Sequence, residues 1–109
     1  MEIKAVVSVQ IVRFVQVHQP GWVECRLTDA YGREWAFVDK LPMFTSDDLD
    51  AKSRYPVPGV IGCQIIRREQ DELGREIVII DTEQPDHIEA IDGETRFAVL
   101  PQQLAEIDT

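Results

Sequence analysis

The chain has 109 residues, the length of one domain that can bury a core without metal ions or disulfides. Hydrophobic residues make up 44% and charged residues 28%, a composition that argues against a disordered chain. Twenty acidic and eleven basic residues give a net charge of −9. This charge disfavours nucleic acid as a partner, because affinity for a phosphate backbone comes mainly from lysine and arginine. We expect a single domain over residues 1–109.

The apolar runs predict neither a secretory leader nor a membrane span. A leader needs about 7–15 unbroken apolar residues, whereas polar residues interrupt the N-terminal run at Glu2, Lys4, Ser8 and Gln10. No run approaches the roughly 20 apolar residues that cross a bilayer. The expected location is the cytoplasm, with no membrane contact.

The two cysteines, Cys25 and Cys63, are expected to be buried and reduced. Each lies in an apolar, strand-like run, and free cysteine is among the most buried residue types. A zinc site would need both to converge with His18 and His87, and no local spacing suggests it. We therefore expect no metal and no cofactor.

The first predicted element is a long strand over residues 5–18, in which apolar and polar residues alternate with a period of two. The alternation changes face at Arg13, so a bulge or bend is expected within residues 11–14. Such a bend lets one strand serve two parts of a small barrel. Pro20 and Gly21 then end the strand.

The next unit is a hairpin whose register follows from its turn. Residues 29–32 (Asp-Ala-Tyr-Gly) fit a type I turn with Gly32 in the left-handed conformation. The resulting three-residue loop places Leu27 opposite Trp35. The expected core face carries Val23, Cys25, Leu27, Trp35 and Phe37.

Residues 71–76 (Asp-Glu-Leu-Gly-Arg-Glu) repeat the pattern of residues 29–34. Either an internal duplication or turn chemistry explains the match, and we favour turn chemistry because the preceding strands do not align. The same register would place Ile79 opposite Arg67 and Ile66 opposite Ile80. Neither face is cleanly polar, so either this hairpin is covered on both sides or its register differs.

A third hairpin is expected at residues 92–93 (Asp-Gly), a strong signature of a two-residue turn. It would place Glu89 opposite Arg96 and Ile88 opposite Phe97, and both pairs are favourable across strands.

Two short helices are expected outside the strands. In the long connection of residues 40–59, a threonine and a serine precede Asp47 as candidate N-caps for a helix over about residues 47–54. A second helix after Pro101 would carry Leu104 on its apolar edge. Long ordered connections such as residues 40–59 are often functional.

Three hairpins and a long first strand predict an all-β protein. We favour a small antiparallel β-barrel of about six or seven strands built from consecutive hairpins, with a two-sheet β-sandwich as the alternative. Val38, Val78 and Ile80 would form a second apolar face that needs a cover. We expect an internal cover from residues 40–59 or the C-terminal segment. A homodimer would cover it instead, so monomer or homodimer stays open.

The acidic residues are concentrated in residues 69–94, which hold ten of them and one basic residue, Arg75. Clustered charge accelerates encounter with the opposite charge, although acids also serve only to keep a surface soluble. The leading hypothesis is a non-catalytic cytoplasmic protein-binding module that binds a basic protein surface as an inhibitor or accessory subunit. The candidate contacts are Asp71, Glu72, Asp86, Glu89, Phe44, Asp47, Asp48 and Tyr55.

Two other function classes stay open. A small enzyme would have its active site under residues 40–59, although the chain has no Gly-x-Ser-x-Gly elbow and no glycine-rich phosphate loop. An oligonucleotide-binding barrel would need exposed aromatic residues, whereas Trp35 and Phe37 are expected to face the core. Specific calcium binding is disfavoured, because residues 47–50 lack the ligand spacing and central glycine of a calcium loop.

Overall fold

A computed structural model describes residues 3–16 and 20–107 of the chain. Within these residues, the protein is all-β and consists of an antiparallel sheet that curls into a half-barrel. The strand order is β3-β2-β1-β4-β5-β6, and β7 pairs with β1. The strands are β1 (Ile3–Gln16), β2 (Trp22–Thr28), β3 (Glu34–Lys40), β4 (Val57–Gln70), β5 (Glu76–Asp81), β6 (Arg96–Val99) and β7 (Leu104–Glu106). No helix in this described part of the chain has the length and apolar character needed to cross a membrane.

Strand β1 is long because it serves two parts of the sheet. It pairs with β4 along its first nine residues and with β2 from Gln10 onward. Its register against β2 shifts between Ile11 and Arg13 and again after Phe14, so the bulge predicted from the change of face is confirmed. The last two residues of the predicted strand, Val17 and His18, lie outside the described residues.

The hairpin of β2 and β3 has the register predicted from its turn. Leu27 pairs with Trp35, and Asp29 donates its backbone N–H to the carbonyl of Arg33 at 2.9 Å. Gly32 has a φ of 83°, the left-handed conformation that the turn requires. Phe37 and the other predicted core residues of this hairpin are buried, and Trp35 is half-buried.

The hairpin of β4 and β5 follows its predicted register only near the turn. Ile79 pairs with Arg67 as expected, but Ile80 pairs with Ile65 rather than with Ile66. A bulge at Ile66 causes this shift, and one extra residue reverses the face of every side chain beyond it. As a result Ile80 belongs to the core.

The third hairpin differs from the prediction in both turn and partner. Ala90 donates its backbone N–H to the carbonyl of Glu94, so the loop has three residues instead of two. The strand that follows pairs with β5, where Arg96 lies opposite Asp81 and Phe97 opposite Ile80. The expected pairs of Arg96 with Glu89 and of Phe97 with Ile88 do not form in this sheet.

The helix expected over residues 47–54 is absent, and a 3₁₀ helix at Leu41–Met43 is the one helical turn of the connection. Short polar side chains bind the backbone instead. The side chain of Asp50 accepts the backbone N–H of Lys52 at 2.8 Å, and the backbone N–H of Asp50 donates to the hydroxyl oxygen of Ser53 at 3.0 Å. Such local bonds compete with helix formation.

The prediction of a C-terminal helix is also wrong. A 3₁₀ helix at Pro101–Gln103 is followed by β7, which pairs with β1. This 3₁₀ helix contacts β5, and the side chain of Leu104 packs against the core. Val78 and Ile80 are fully buried core residues of the single chain. They therefore form no exposed patch that a second copy would have to cover.

The outer strands β3 and β6 approach each other where the sheet curls. The backbone N–H of Ile91 donates to the carbonyl of Ala36, and that of Ala30 donates to the carbonyl of Ala98, both at 2.8 Å. Phe97 of β6 also packs edge-on against two aromatic rings of β3. These contacts hold the two ends of the half-barrel together.

Replacing Gly74 with alanine is expected to lower the free energy of unfolding by about 1 kcal/mol. Gly74 has a φ of 80°, and no neighbouring atom lies within contact distance of an added Cβ, so the cost is backbone strain alone. Gly74→Asn is the control, because asparagine tolerates this conformation and should lose less. Urea unfolding measures both variants. Equal losses in the two would contradict a backbone origin.

Candidate interaction surface

The turns that join β2 to β3 and β4 to β5 lie side by side and expose a large apolar side chain each. Tyr31 and Leu73 occupy the same position of the two turns and are 62% and 84% exposed. The guanidinium of Arg75 lies 5.8 Å from the centre of the Tyr31 ring. Between the turns is a depression of about 460 Å³. We call its lining the turn surface, and it consists of Tyr31, Gln70, Asp71, Glu72, Leu73 and Arg75.

The carboxylate of Asp71 fixes the shape of the second turn. Its Oδ1 accepts the backbone N–H groups of Leu73 and Arg75, both at 2.9 Å, and its Oδ2 accepts Nε of Arg75 at 2.8 Å. These bonds, with that from the Arg75 side chain foremost, lower the pKa of Asp71 below its usual value. Asp71 is therefore a structural residue of the turn, whose charge is already paired.

Asp29 fixes the first turn in the same way. Its Oδ1 accepts the backbone N–H of Tyr31 at 2.9 Å and that of Arg33 at 3.0 Å, and its Oδ2 accepts Nε1 of Trp35 at 3.0 Å. Both turns are thus held by side-chain bonds as well as by their strands. The two apolar side chains project from a fixed backbone.

The acidic segment of residues 69–94 is less negative in the fold than its sequence suggests. Arginines pair with four of its acids, within a strand, between neighbouring strands or within the second turn: Glu69 with Arg67, Asp71 with Arg75, Glu76 with Arg68, and Asp81 with Arg96. Glu72, Asp86 and Glu89 are exposed and form no ion pair with another described residue. Of these three, only Glu72 belongs to the turn surface.

The four predicted contacts in the connection of residues 40–59 lie outside the lining of the turn surface. Asp47 and Asp48 line a groove of about 520 Å³ whose apolar lining includes Leu49. Phe44 is buried in the core, where its side chain is not accessible at the surface. Tyr55 is half-buried against the core, and its hydroxyl donates to the carbonyl of Asp50 at 2.6 Å.

Asp86 and Glu89 lie on the loop between β5 and β6. Thr82 anchors this loop, since its buried hydroxyl donates to the carbonyl of Ile88 at 2.5 Å. Asp86 lies beside Gly62 of β4, whereas the turn surface begins at Gln70 of the same strand. Eight residues of strand separate these positions by roughly 26 Å. The eight predicted contacts therefore do not form one surface, and only Asp71 and Glu72 lie together on the turn surface.

The sequence reasoning missed Tyr31 and Leu73, which dominate the turn surface by exposure. The signal was available, because the exposed positions of such turns usually carry glycine, asparagine, aspartate or serine. A tyrosine and a leucine at matched positions of two turns are therefore unusual, because their exposure shows that they contribute little to the core.

Neither cysteine is placed to act as a nucleophile. Cys25 and Cys63 are free and fully buried, and burial raises the pKa of each thiol to about 12, so neither is a nucleophile at neutral pH. His87 is exposed, with its Nδ1 3.9 Å from a carboxylate oxygen of Glu83. The described residues contain no group of three or more His, Cys, Asp or Glu side chains that could hold a metal ion.

Searches for similar proteins were made against family models, curated proteins and solved structures. None of the three comparisons finds a match to this chain.

Proposed function

We propose that the chain is a non-catalytic cytoplasmic protein-binding module, a small acidic barrel that binds a basic partner protein as an inhibitor or accessory subunit. The turn surface is the binding site in this proposal. The observation that carries it is the exposure of Tyr31 and Leu73, side by side, on two turns whose backbones are fixed by aspartate side chains.

Exposed apolar side chains on a fixed backbone suit protein recognition. Binding costs less conformational entropy when the contact residues are already ordered. Tyrosine is also enriched among the residues that contribute most to interface affinity. The groups beside the two apolar side chains are polar, which matches an apolar centre with a polar rim.

The sign of the charge favours a basic partner. The chain carries −9 overall, and a net negative field accelerates encounter with a positive surface. On the turn surface the single cation, Arg75, is already paired with Asp71. Glu72 is left as an exposed carboxylate without an ion pair among the described residues.

A small enzyme is the second candidate, favoured only by the groove beside residues 40–59. Three aspartates, Asp47, Asp48 and Asp50, line it next to apolar groups. No cysteine or histidine belongs to that lining in the described part of the chain. An oligonucleotide-binding barrel has no comparable support, because Phe37 is buried and Trp35 is covered by the guanidinium of Arg33 at 3.9 Å.

Leu73→Asp is expected to abolish capture of a partner while leaving the fold intact. In cells of the source organism, wild-type protein carrying a photo-crosslinker at Gln70 should capture a discrete partner. Leu73→Asp and Tyr31→Asp, with the same crosslinker, should lose that species, since each places a charge in the apolar centre of the contact.

Ile91→Asp is the matched control for this experiment. Ile91 is 67% exposed on the third turn and lines a different depression, which shares no residue with the turn surface. It should capture the same species as the wild type, and circular dichroism should show all variants folded. Equal capture by Leu73→Asp and the wild type would contradict the proposal, as would loss of capture by Ile91→Asp alone.

A further inference from the structure

On the basis of the proposed function, we infer that the partner presents a lysine or arginine beside an apolar side chain, with the apolar group on Tyr31 and Leu73 and the cation on Glu72. This pairing follows from which groups of the turn surface are already engaged. It assigns the apolar contact to Tyr31 and Leu73 and the charged contact to Glu72.

Asp71 is not available to a partner cation. Its two carboxylate oxygens accept two backbone N–H groups and the side chain of Arg75. A second cation at this carboxylate would compete with the bonds that shape the turn and would be repelled by Arg75. Glu72, the next residue, accepts no such bond from another described residue, and it is exposed.

An acidic partner would meet a cation in this lining that already has a carboxylate counter-charge, and the guanidinium of Arg33, on the first turn, lies over the Trp35 ring. Arg75 is the one basic residue of the lining, and its Nε already binds Asp71 at 2.8 Å. Arg68, the nearest other arginine along β4, binds Glu76 at 3.2 Å and Glu106 at 2.7 Å. Complementary charge therefore selects a positive group next to the apolar contact.

The apolar part of the contact is defined by Leu73 and by one face of Tyr31. Leu73 is 84% exposed, so contact with a partner would remove most of its side chain from water. Glu72 directly precedes Leu73 in the chain, so a partner residue that packs on Leu73 also lies near Glu72. The cation and the apolar group of the partner must therefore lie close together.

A random peptide library displayed on phage, selected against immobilised wild-type protein, tests this inference. Enriched peptides should carry a lysine or arginine within a few residues of a leucine, isoleucine, phenylalanine or tryptophan. Binding of the synthesised peptides, measured by fluorescence anisotropy, should weaken about tenfold or more for Leu73→Ala. For Glu72→Gln it should weaken by about two- to fivefold at low salt, with the difference fading as salt is added.

The outcomes separate the inference from the proposed function. Peptides that need Leu73 but lack a basic residue, or that bind Glu72→Gln as tightly as the wild type at low salt, would overturn the inference alone. Selection that yields no peptide dependent on Leu73 or Tyr31 would overturn the proposed function as well. Ile91→Ala is the matched control and should bind every selected peptide as the wild type does.

Discussion

Replacing Phe97 with alanine is expected to lower the free energy of unfolding by about 3–5 kcal/mol, the range for a buried aromatic side chain. Phe97 is buried, and its ring packs edge-on against Trp35 and Phe37, with centroid distances of 5.1 and 5.6 Å. It joins β6 to β3, which are not paired as neighbours in the sheet. Two backbone hydrogen bonds also join these ends of the half-barrel, but they do not fill the volume that the ring occupies.

Urea unfolding followed by circular dichroism measures the loss. Tyr31→Ala is the matched control, because it also removes an aromatic ring but from an exposed position, and it should change stability by about 0.5 kcal/mol or less. Phe97→Leu should lie between the two, since most of the buried volume is kept. A Phe97→Ala variant as stable as Tyr31→Ala would show that the aromatic cluster does not hold the half-barrel together.

Replacing Glu24 with glutamine is expected to cost about 2 kcal/mol at pH 7, the scale of hydrogen bonds to a charged group. The carboxylate of Glu24 is buried, with Arg13 Nε at 2.8 Å from one oxygen and Arg26 Nη2 at 2.6 Å from the other. Glutamine keeps the shape but removes the buried counter-charge that the two guanidinium groups share. Because the two arginine side chains are 60% and 41% exposed, water offsets part of the loss.

The loss of stability in Glu24→Gln should become smaller as the pH is lowered. Burial by itself would raise the pKa of Glu24, but hydrogen bonds from Arg26 and Arg13 outweigh burial, and the pKa is lowered from its usual value of 4.5. A carboxyl with a lowered pKa stabilises the fold fully above its unfolded pKa and loses that contribution as the pH falls through its folded pKa. The stability difference between wild type and variant should be constant near neutrality and shrink below about pH 4.5.

Glu34→Gln is the matched control for the pH series. Glu34 lies on the same hairpin but is 60% exposed, and its nearest guanidinium nitrogen, on Arg26, is 4.0 Å away. Its replacement should change the free energy of unfolding by less than about 0.5 kcal/mol at both pH 7 and pH 3. A loss in Glu24→Gln that persists unchanged at pH 3 would show that packing, and not charge, is its origin.

The sequence by itself determined the parts of the fold that depend on neighbours in the chain. The turn at Gly32 set the register of the first hairpin, because a three-residue loop with one left-handed glycine leaves a single pairing of the strands. The change of face at Arg13 located a bulge for the same local reason. Burial of Cys25 and Cys63 followed from the apolar residues on either side.

Only part of the candidate site could be read from the chain. Asp71 and Glu72 were found through their charge, but charge alone did not show that Asp71 already forms an ion pair with Arg75. Tyr31 and Leu73 are far apart in sequence, and their contact surface exists only because the two turns lie side by side. Residue type marks the two positions as unusual for a turn, but only the folded chain shows that they are exposed side by side.

The tertiary structure decided the elements whose local preference was weak or divided. Leu104 was compatible with a helix or a strand, and the free edge of β1 selected the strand. The strand after residue 95 had two possible partners, and β5 prevailed because Phe97 can then reach Trp35 across the curled sheet. Local sequence specifies turns and alternation, but burial of a side chain depends on residues distant in the chain, and that burial selects between locally acceptable alternatives.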